Sequence, residues 1–241
     1  MGWPHAGGED MSGNAVPGFL PTTFGFRFAN DFPHVPVRHI GVPGVVSIPI
    51  GDASNGLCGG MAFAARDYFE QGRQPPQDAT APGKGALFDY LVDRLFDSFH
   101  LPWGPARYLE LMNPALPDGE TVWSRLGLLP HGRGWRMANQ EWPAIKAEID
   151  GGHPSPLGVV KVKSTNPFDL KEDHQVLAYG YTIASNVLTL DLYDPNWPVR
   201  NDVTLSLDLS NAARGAPVRS SPAGDAVYAF FRVPYSPKSP P

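Results

Sequence analysis

His174-Gln175-Val176-Leu177-Ala178-Tyr179-Gly180-Tyr181 and Val187-Leu188-Thr189-Leu190-Asp191-Leu192-Tyr193 decide how the second half of this chain folds. A short loop containing Ser185-Asn186 joins them. Both runs read as β-strands bounded by turn-forming residues. A symmetric hairpin centred on Ala184 sets His174 opposite Asp194, and opposed residues project to one side of a sheet, roughly 5 Å apart. The pleat supports that register. Val176, Ala178, Gly180, Leu188, Leu190 and Leu192 share the His174 side, while Gln175, Leu177, Tyr179, Tyr181, Thr189, Asp191 and Tyr193 take the other. The first face is apolar and small near its centre, as a face under a helix should be. His174 and Asp194 are expected at one end of it, within hydrogen-bond reach.

Further strands are expected over 157–162, 203–209 and 226–233. Helices precede them. Met61, Ala64, Ala65 and Tyr68 recur at helical spacing over 57–71, with Gly72 as the stop. Leu87, Leu91, Leu95 and Phe99 mark the apolar face of the next helix. Shorter helices are expected over 106–112 and 121–126, and Asn139 is expected to cap one that runs to about residue 150. Helices first and sheet second indicate an α+β fold. One domain is expected over 1–235. Residues 1–44 wrap its surface with one short strand, and 45–50 form an edge strand because Pro49 breaks a central ladder. Residues 101–138 form an insertion or lid, and 236–241 a disordered tail.

The composition narrows the function. At 42% hydrophobic and 18% charged, the 241 residues describe a globular protein. The 26 Gly and 27 Pro point to long ordered loops. With a formal net charge of -5 and no basic stripe, nucleic acid is excluded as a partner. A lone cysteine forms no internal disulfide and suits a reducing cytosol. No secretory leader is readable, and no apolar run approaches the roughly 18 residues of a membrane span. The expectation is a cytoplasmic protein with no membrane partner. Oligomeric state is not legible.

That cysteine, Cys58, lies in Asn55-Gly56-Leu57-Cys58-Gly59-Gly60-Met61, where a loop turns into a helix. Free N–H groups and the macrodipole at a helix start favour a thiolate. Gly59 and Gly60 remove side chains beside the sulfur. Cys58, His174 and Asp194 supply nucleophile, base and orienting acid in that chain order, the parts of covalent acyl transfer. The Cys58 helix is the natural cover for the His174 face of the hairpin. The chain shows no metal spacing: Glu172-Asp173-His174 has no second His or Cys three or four residues away.

Cys58 opening a helix, the His174-x-x-x-x-x-Gly180-Tyr181 strand and the Asp194-Pro195 strand end resemble papain-like cysteine peptidases, nearest the bacterial C39-like branch. The likeness covers roughly residues 50–72 and 142–197. It implies a papain-like fold and a cysteine hydrolase of peptide or other amide bonds, with no cofactor. Cys58 is then nucleophile, His174 general base and acid, and Asp194 the orienting carboxylate, with Asn196 as an alternative third member. Trp197 resembles the tryptophan that shields the imidazole–amide pair in papain relatives. Asp52 stands where the family places an oxyanion glutamine, and Asn55 is the amide nearest that role. The same residue order also serves transglutaminases and arylamine acyltransferases. Asp52 motivates a third reading, a non-catalytic binding module.

Overall fold

The computed structural model describes residues 11–34, 56–100 and 103–241. The expected strand over 45–50, and Asp52 and Asn55, lie outside them. Strand β1 (Ser12–Ala15) and the helical turn α1 (Pro21–Phe24) precede the longer helices α2 (Cys58–Glu70) and α3 (Ala86–Ser98). Next come α4 (Trp103–Met112), the single turns α5 (Val122–Arg125) and α6 (Arg133–Arg136), and α7 (Trp142–Asp150). The strands are β2 (Ser155–Val160), β3 (His174–Ala184), β4 (Val187–Tyr193), β5 (Val203–Asp208), β6 (Val218–Ser221), β7 (Ala226–Val227) and β8 (Ala229–Arg232). They form one antiparallel sheet in the order β7-β6-β5-β4-β3-β2-β8, with β1 on the far half of β3. The coarse α+β reading therefore holds.

The strand expected over 226–233 is two strands at opposite ends of that order. Only Tyr228 separates β7 from β8, and its N–H donates to the Val160 carbonyl at 2.8 Å. The two ends of the sheet therefore meet, and the sheet is rolled. Val159, His174, Val176, Leu205 and Val227, from four different strands, line one small cleft inside the roll. At its His174 end the inner face of the hairpin thus packs on other strands. This corrects the expectation that α2 covers it. Gln175, on the opposite face, is the residue that meets α2: a Cβ on Gly59 would lie 2.8 Å from its Oε1.

The β3–β4 register also differs from the symmetric one. Ala184 pairs with Val187 around Ser185 and Asn186, both at positive φ (48° and 65°). A two-residue turn of this hand matches the right-handed strand twist better than a turn centred on Ala184. A bulge between Ala178 and Gly180 then leaves Ala178 opposite Leu192. Continued one step past Leu177–Tyr193, the ladder sets Val176, not His174, level with Asp194. A slip of two residues preserves the faces, so His174 and Asp194 still share a side. Beyond the bulge Tyr181 moves to the inner side, where α7 packs: the Trp142 ring stands edge-on to it at 4.9 Å.

Helices α2 and α3 touch backbone to backbone, since a Cβ on Gly60 would lie 2.1 Å from the Leu91 carbonyl oxygen. Within the early segment, the described stretch 11–34 is more than a surface wrap. Phe19, Phe26, Phe28 and Phe32 are buried, with Phe19 edge-on to Phe69 and Phe26 to Tyr68. Nor does Asn139 cap a helix. It lies in a π-helical turn, Met137–Glu141, that links α6 to α7 without a break. Pro143 has no N–H to continue the α-helical ladder, and the wider turn before it absorbs the mismatch. That turn also closes the outer edge of β8: Met137 Sδ accepts from the Phe230 N–H and Glu141 Oε2 from the Arg232 N–H.

Most of 101–138 is no lid, because α4 buries Tyr108, Leu111 and Met112; the stretch between Glu120 and His131 is what protrudes. The expected disordered tail is docked. Lys238 N–H donates to Asp67 at 2.8 Å, and Arg73 reaches the carbonyls of Pro240 and Pro241. Among the described residues no helix is long and apolar enough to cross a membrane.

Candidate functional site

Three segments distant in sequence converge where β3 begins, β4 ends and α2 begins. His174 is the first residue of β3, and its Nε2 lies 2.7 Å from Asp194 Oδ1. The same oxygen accepts the Asn196 N–H at 2.8 Å. Asp194 therefore meets the ring, while Asn196 braces the carboxylate through its main chain. Cys58 is the first residue of the 13-residue helix α2, half-buried, and the hydrogen-bond and charge neighbour of the His174 ring. With Nε2 committed to Asp194, Nδ1 is the nitrogen left for the thiol.

The electrostatics follow from this packing. Burial pulls the His174 pKa down, but the Asp194 carboxylate and Cys58 outweigh it and push the pKa up to about 10. Burial alone would raise Asp194; the imidazolium and the Asn196 N–H instead hold it below the usual carboxylate range. The site thus favours a charged imidazole between an anionic oxygen and the sulfur.

Asn30 ties the loops together, a role that sequence reasoning missed. Its Oδ1 accepts the Leu57 N–H at 2.6 Å, directly before Cys58. Its Nδ2 donates to Asn196 Oδ1 at 3.2 Å, and its own N–H to the Pro195 carbonyl at 2.9 Å. One side chain thereby fixes the cysteine loop against the Asp194 loop. Gly56, at φ +91°, leaves the space that Asn30 fills: a Cβ there would lie 2.4 Å from Nδ2. No local pattern marks Asn30, because its partners lie 27 and 166 residues away.

Tyr108 and Gln175 form a second layer behind the thiol. The Tyr108 hydroxyl donates to the His174 carbonyl at 3.0 Å, and its ring stands edge-on to Phe231. Burial, then the charge of Cys58, raise its pKa well above normal, so it remains a neutral donor. Gln175 is buried and its Oε1 has no partner. Ser98 packs beside it, where a side chain on Gly59 would collide with both.

Two clefts flank these groups. The cleft inside the roll is lined by His174, Asp194 and Trp197, with Lys161 and Asp225 paired at 2.6 Å on its wall. Trp197 thus shares a wall with the imidazole–carboxylate pair. A larger groove runs past Ser98, Trp103, Tyr108, Phe231 and Val233. Of the residues singled out from sequence, Cys58, His174, Asp194, Asn196 and Trp197 come together, whereas Asp52 and Asn55 lie outside the described residues. No family model, no curated protein and no solved structure matches this chain.

Proposed function

We propose that this chain is a papain-like cysteine hydrolase of peptide or other amide bonds. One observation carries the reading: an imidazole fixed by a carboxylate at 2.7 Å lies beside the only thiol of the chain, at the first residue of a helix, close enough for the two to share charge. Neither contact alone means much, since buried cysteines and paired histidines are common structural features. Together they give nucleophile, base and orienting acid in the order that covalent catalysis needs.

In this mechanism the Cys58 proton passes to His174, and the sulfur attacks the substrate carbonyl carbon. The carbonyl oxygen takes up the electron pair of the broken π bond, facing the N–H groups of the first turn of α2, which have no partner within the helix. Collapse of the tetrahedral adduct expels the amine, which takes its proton from His174. Water then attacks the thioester while His174 accepts its proton. The acid leaves and the thiol regains its hydrogen. Asp194 keeps Nε2–H engaged throughout, so Nδ1 always faces the sulfur. Asn30 and Tyr108 act as positioning residues on either side of this line.

The test is Cys58→Ala, with Cys58→Ser as companion. Both variants are expected to fold with unchanged circular dichroism, lose labelling by an epoxide or iodoacetamide probe, and lose hydrolysis of a fluorogenic peptide library. Hydrolysis that persists in Cys58→Ala would overturn the reading.

A further inference from the structure

Between Glu120 and His131 the chain leaves the body of the protein as a short, closed tip. Its apolar side chains face outward: Val122 is 68% exposed, Trp123 57%, Leu126 64%, Leu128 65% and Leu129 54%. Its short polar side chains and its carboxylate face inward. Thr121 and Ser124 form a reciprocal capping box. The N–H groups of Arg125 and Leu126 return to the carbonyls of Thr121 and Val122, and that of Gly127 to Ser124. Those of Leu128 and Leu129 both return to Trp123. The one carboxylate, Glu120, is buried at the base, where Ser124 Oγ, His131 Nδ1 and the Gly132 N–H bind it.

This is the inverse of an ordinary surface loop. Water-facing loops expose unpaired backbone and polar side chains. Here the N–H groups of residues 124–129 are closed internally, which lowers the desolvation cost of entering an interfacial layer, where the remaining carbonyls stay at headgroup level. Its charge points the same way. Arg125 is exposed on the tip. Arg214 is exposed at its base, where the Glu120 N–H donates to the Ala213 carbonyl at 2.7 Å. Asp118, beside them, is already bound by Arg133 and Lys163. In a chain of net charge -5, the described residues of this corner present Arg125 and Arg214, and its carboxylates, Asp118 and Glu120, are already bound.

We propose that residues 122–129 insert into the interfacial layer of an anionic lipid bilayer. Trp123 sits at headgroup depth, the Leu side chains reach the acyl boundary, and Arg125 and Arg214 contact lipid phosphates. This is surface attachment, distinct from a span, and it adds a lipid partner where the sequence suggested none. A second copy of the chain fits less well. Five side chains fall short of the roughly 20–30 residues a side of a stable interface. A single helical turn also lacks the i, i+3, i+4, i+7 ridge that fills a protein groove.

The experiment is co-sedimentation of the full chain with phosphatidylcholine vesicles, with and without about 30% phosphatidylglycerol. The wild type is expected to pellet with the anionic vesicles. Trp123→Ser combined with Leu128→Ser should lower partitioning by tenfold or more, on the order of the loss of several buried methylenes. Arg125→Glu should abolish the preference for anionic lipid. Both changes lie on exposed residues, so thermal midpoints and Cys58 labelling should stay at wild-type values, which separates this result from the hydrolase reading. Wild-type protein that stays in the supernatant with anionic vesicles overturns the proposal. So does a concentration-dependent dimer that Leu128→Ser dissolves, which would assign the tip to a second copy.

Discussion

Asp67, near the end of α2, and Asp194, just past β4, each hold a cation in the interior, at opposite ends of the same architecture. Asp67 is saturated. Tyr90 and Tyr235 hydroxyls, the Arg94 Nε and Nη2 groups and the Lys238 N–H all donate to it, at 2.7–3.2 Å. The Arg94–Asp67 ion pair, fully buried, is a fixed clamp that ties α2, α3 and the C-terminal strap together. Among the described residues Asp194 binds the His174 ring and the Asn196 N–H through the same oxygen, and it opens on a cleft. Its partner can gain and lose a proton. The same carboxylate chemistry gives a rivet where the cation is Arg and a proton relay where it is His.

The largest effect that would break this contrast is on catalysis. Asp194→Asn keeps the shape but replaces an oxygen that only accepts with an amide, which favours the wrong imidazole tautomer. Hydrolysis is expected to fall about a thousandfold to ten-thousandfold, as for other oriented His bases. Stability has its own signature. His174 is raised in the folded state from 6.5 to about 10. Its stabilising contribution is therefore full below pH 6.5 and is lost as pH rises through about 10. The gap in thermal midpoint between wild type and Asp194→Asn should be wide at pH 6 and narrow by pH 10. A gap that grows with pH would show that the pair is not an imidazolium–carboxylate.

The second test acts on the rivet. Asp67→Ala leaves Arg94 buried and unpaired, at a cost of about 3–5 kcal/mol. The thermal midpoint should drop by on the order of 10 °C. Below the new transition Cys58 should still label at close to the wild-type rate, because Asp67 lies at the far end of α2. Loss of labelling in folded Asp67→Ala would mean that the two regions are coupled through the helix.

These two regions were unequally legible in the sequence. Cys58, His174 and Asp194 could be read because each stands in a local pattern: a loop-to-helix junction, a strand start and a strand end. The face assignment of the hairpin tolerated a register error of two residues, since parity repeats every second residue. The bulge at Tyr179 could not be read, because Ala178-Tyr179-Gly180 fits a regular strand as well as a bulged one. Asn30 was invisible for a different reason: its hydrogen bonds are all long-range. The strap was misread because Ser236-Pro237-Lys238-Ser239-Pro240-Pro241 has the composition of disorder. It docks through its own main chain, which composition does not report. The rolling of the sheet was hidden in one residue, Tyr228, that breaks what reads as a single strand.

A third carboxylate, Asp173, lies between these extremes and gives the smallest test. Its Oδ1 accepts the Lys161 N–H at 2.8 Å, while its Oδ2 is buried without a partner among the described residues. Burial raises its pKa to about 7, against the pull of the Lys161 and Val162 N–H groups. The folded state thus holds this proton more tightly than the unfolded chain, and stability falls as pH rises from about 4 to about 7. Asp173→Asn keeps the acceptor for Lys161 and removes the charge. It should match the wild type at pH 4 and exceed it by about 1–2 kcal/mol at pH 8, discounted for partial solvent access. Urea midpoints at the two pH values measure the difference. An equal offset at both would mean that Asp173 is ionised throughout and that its second oxygen binds a donor, placing it with Asp67 among the satisfied carboxylates.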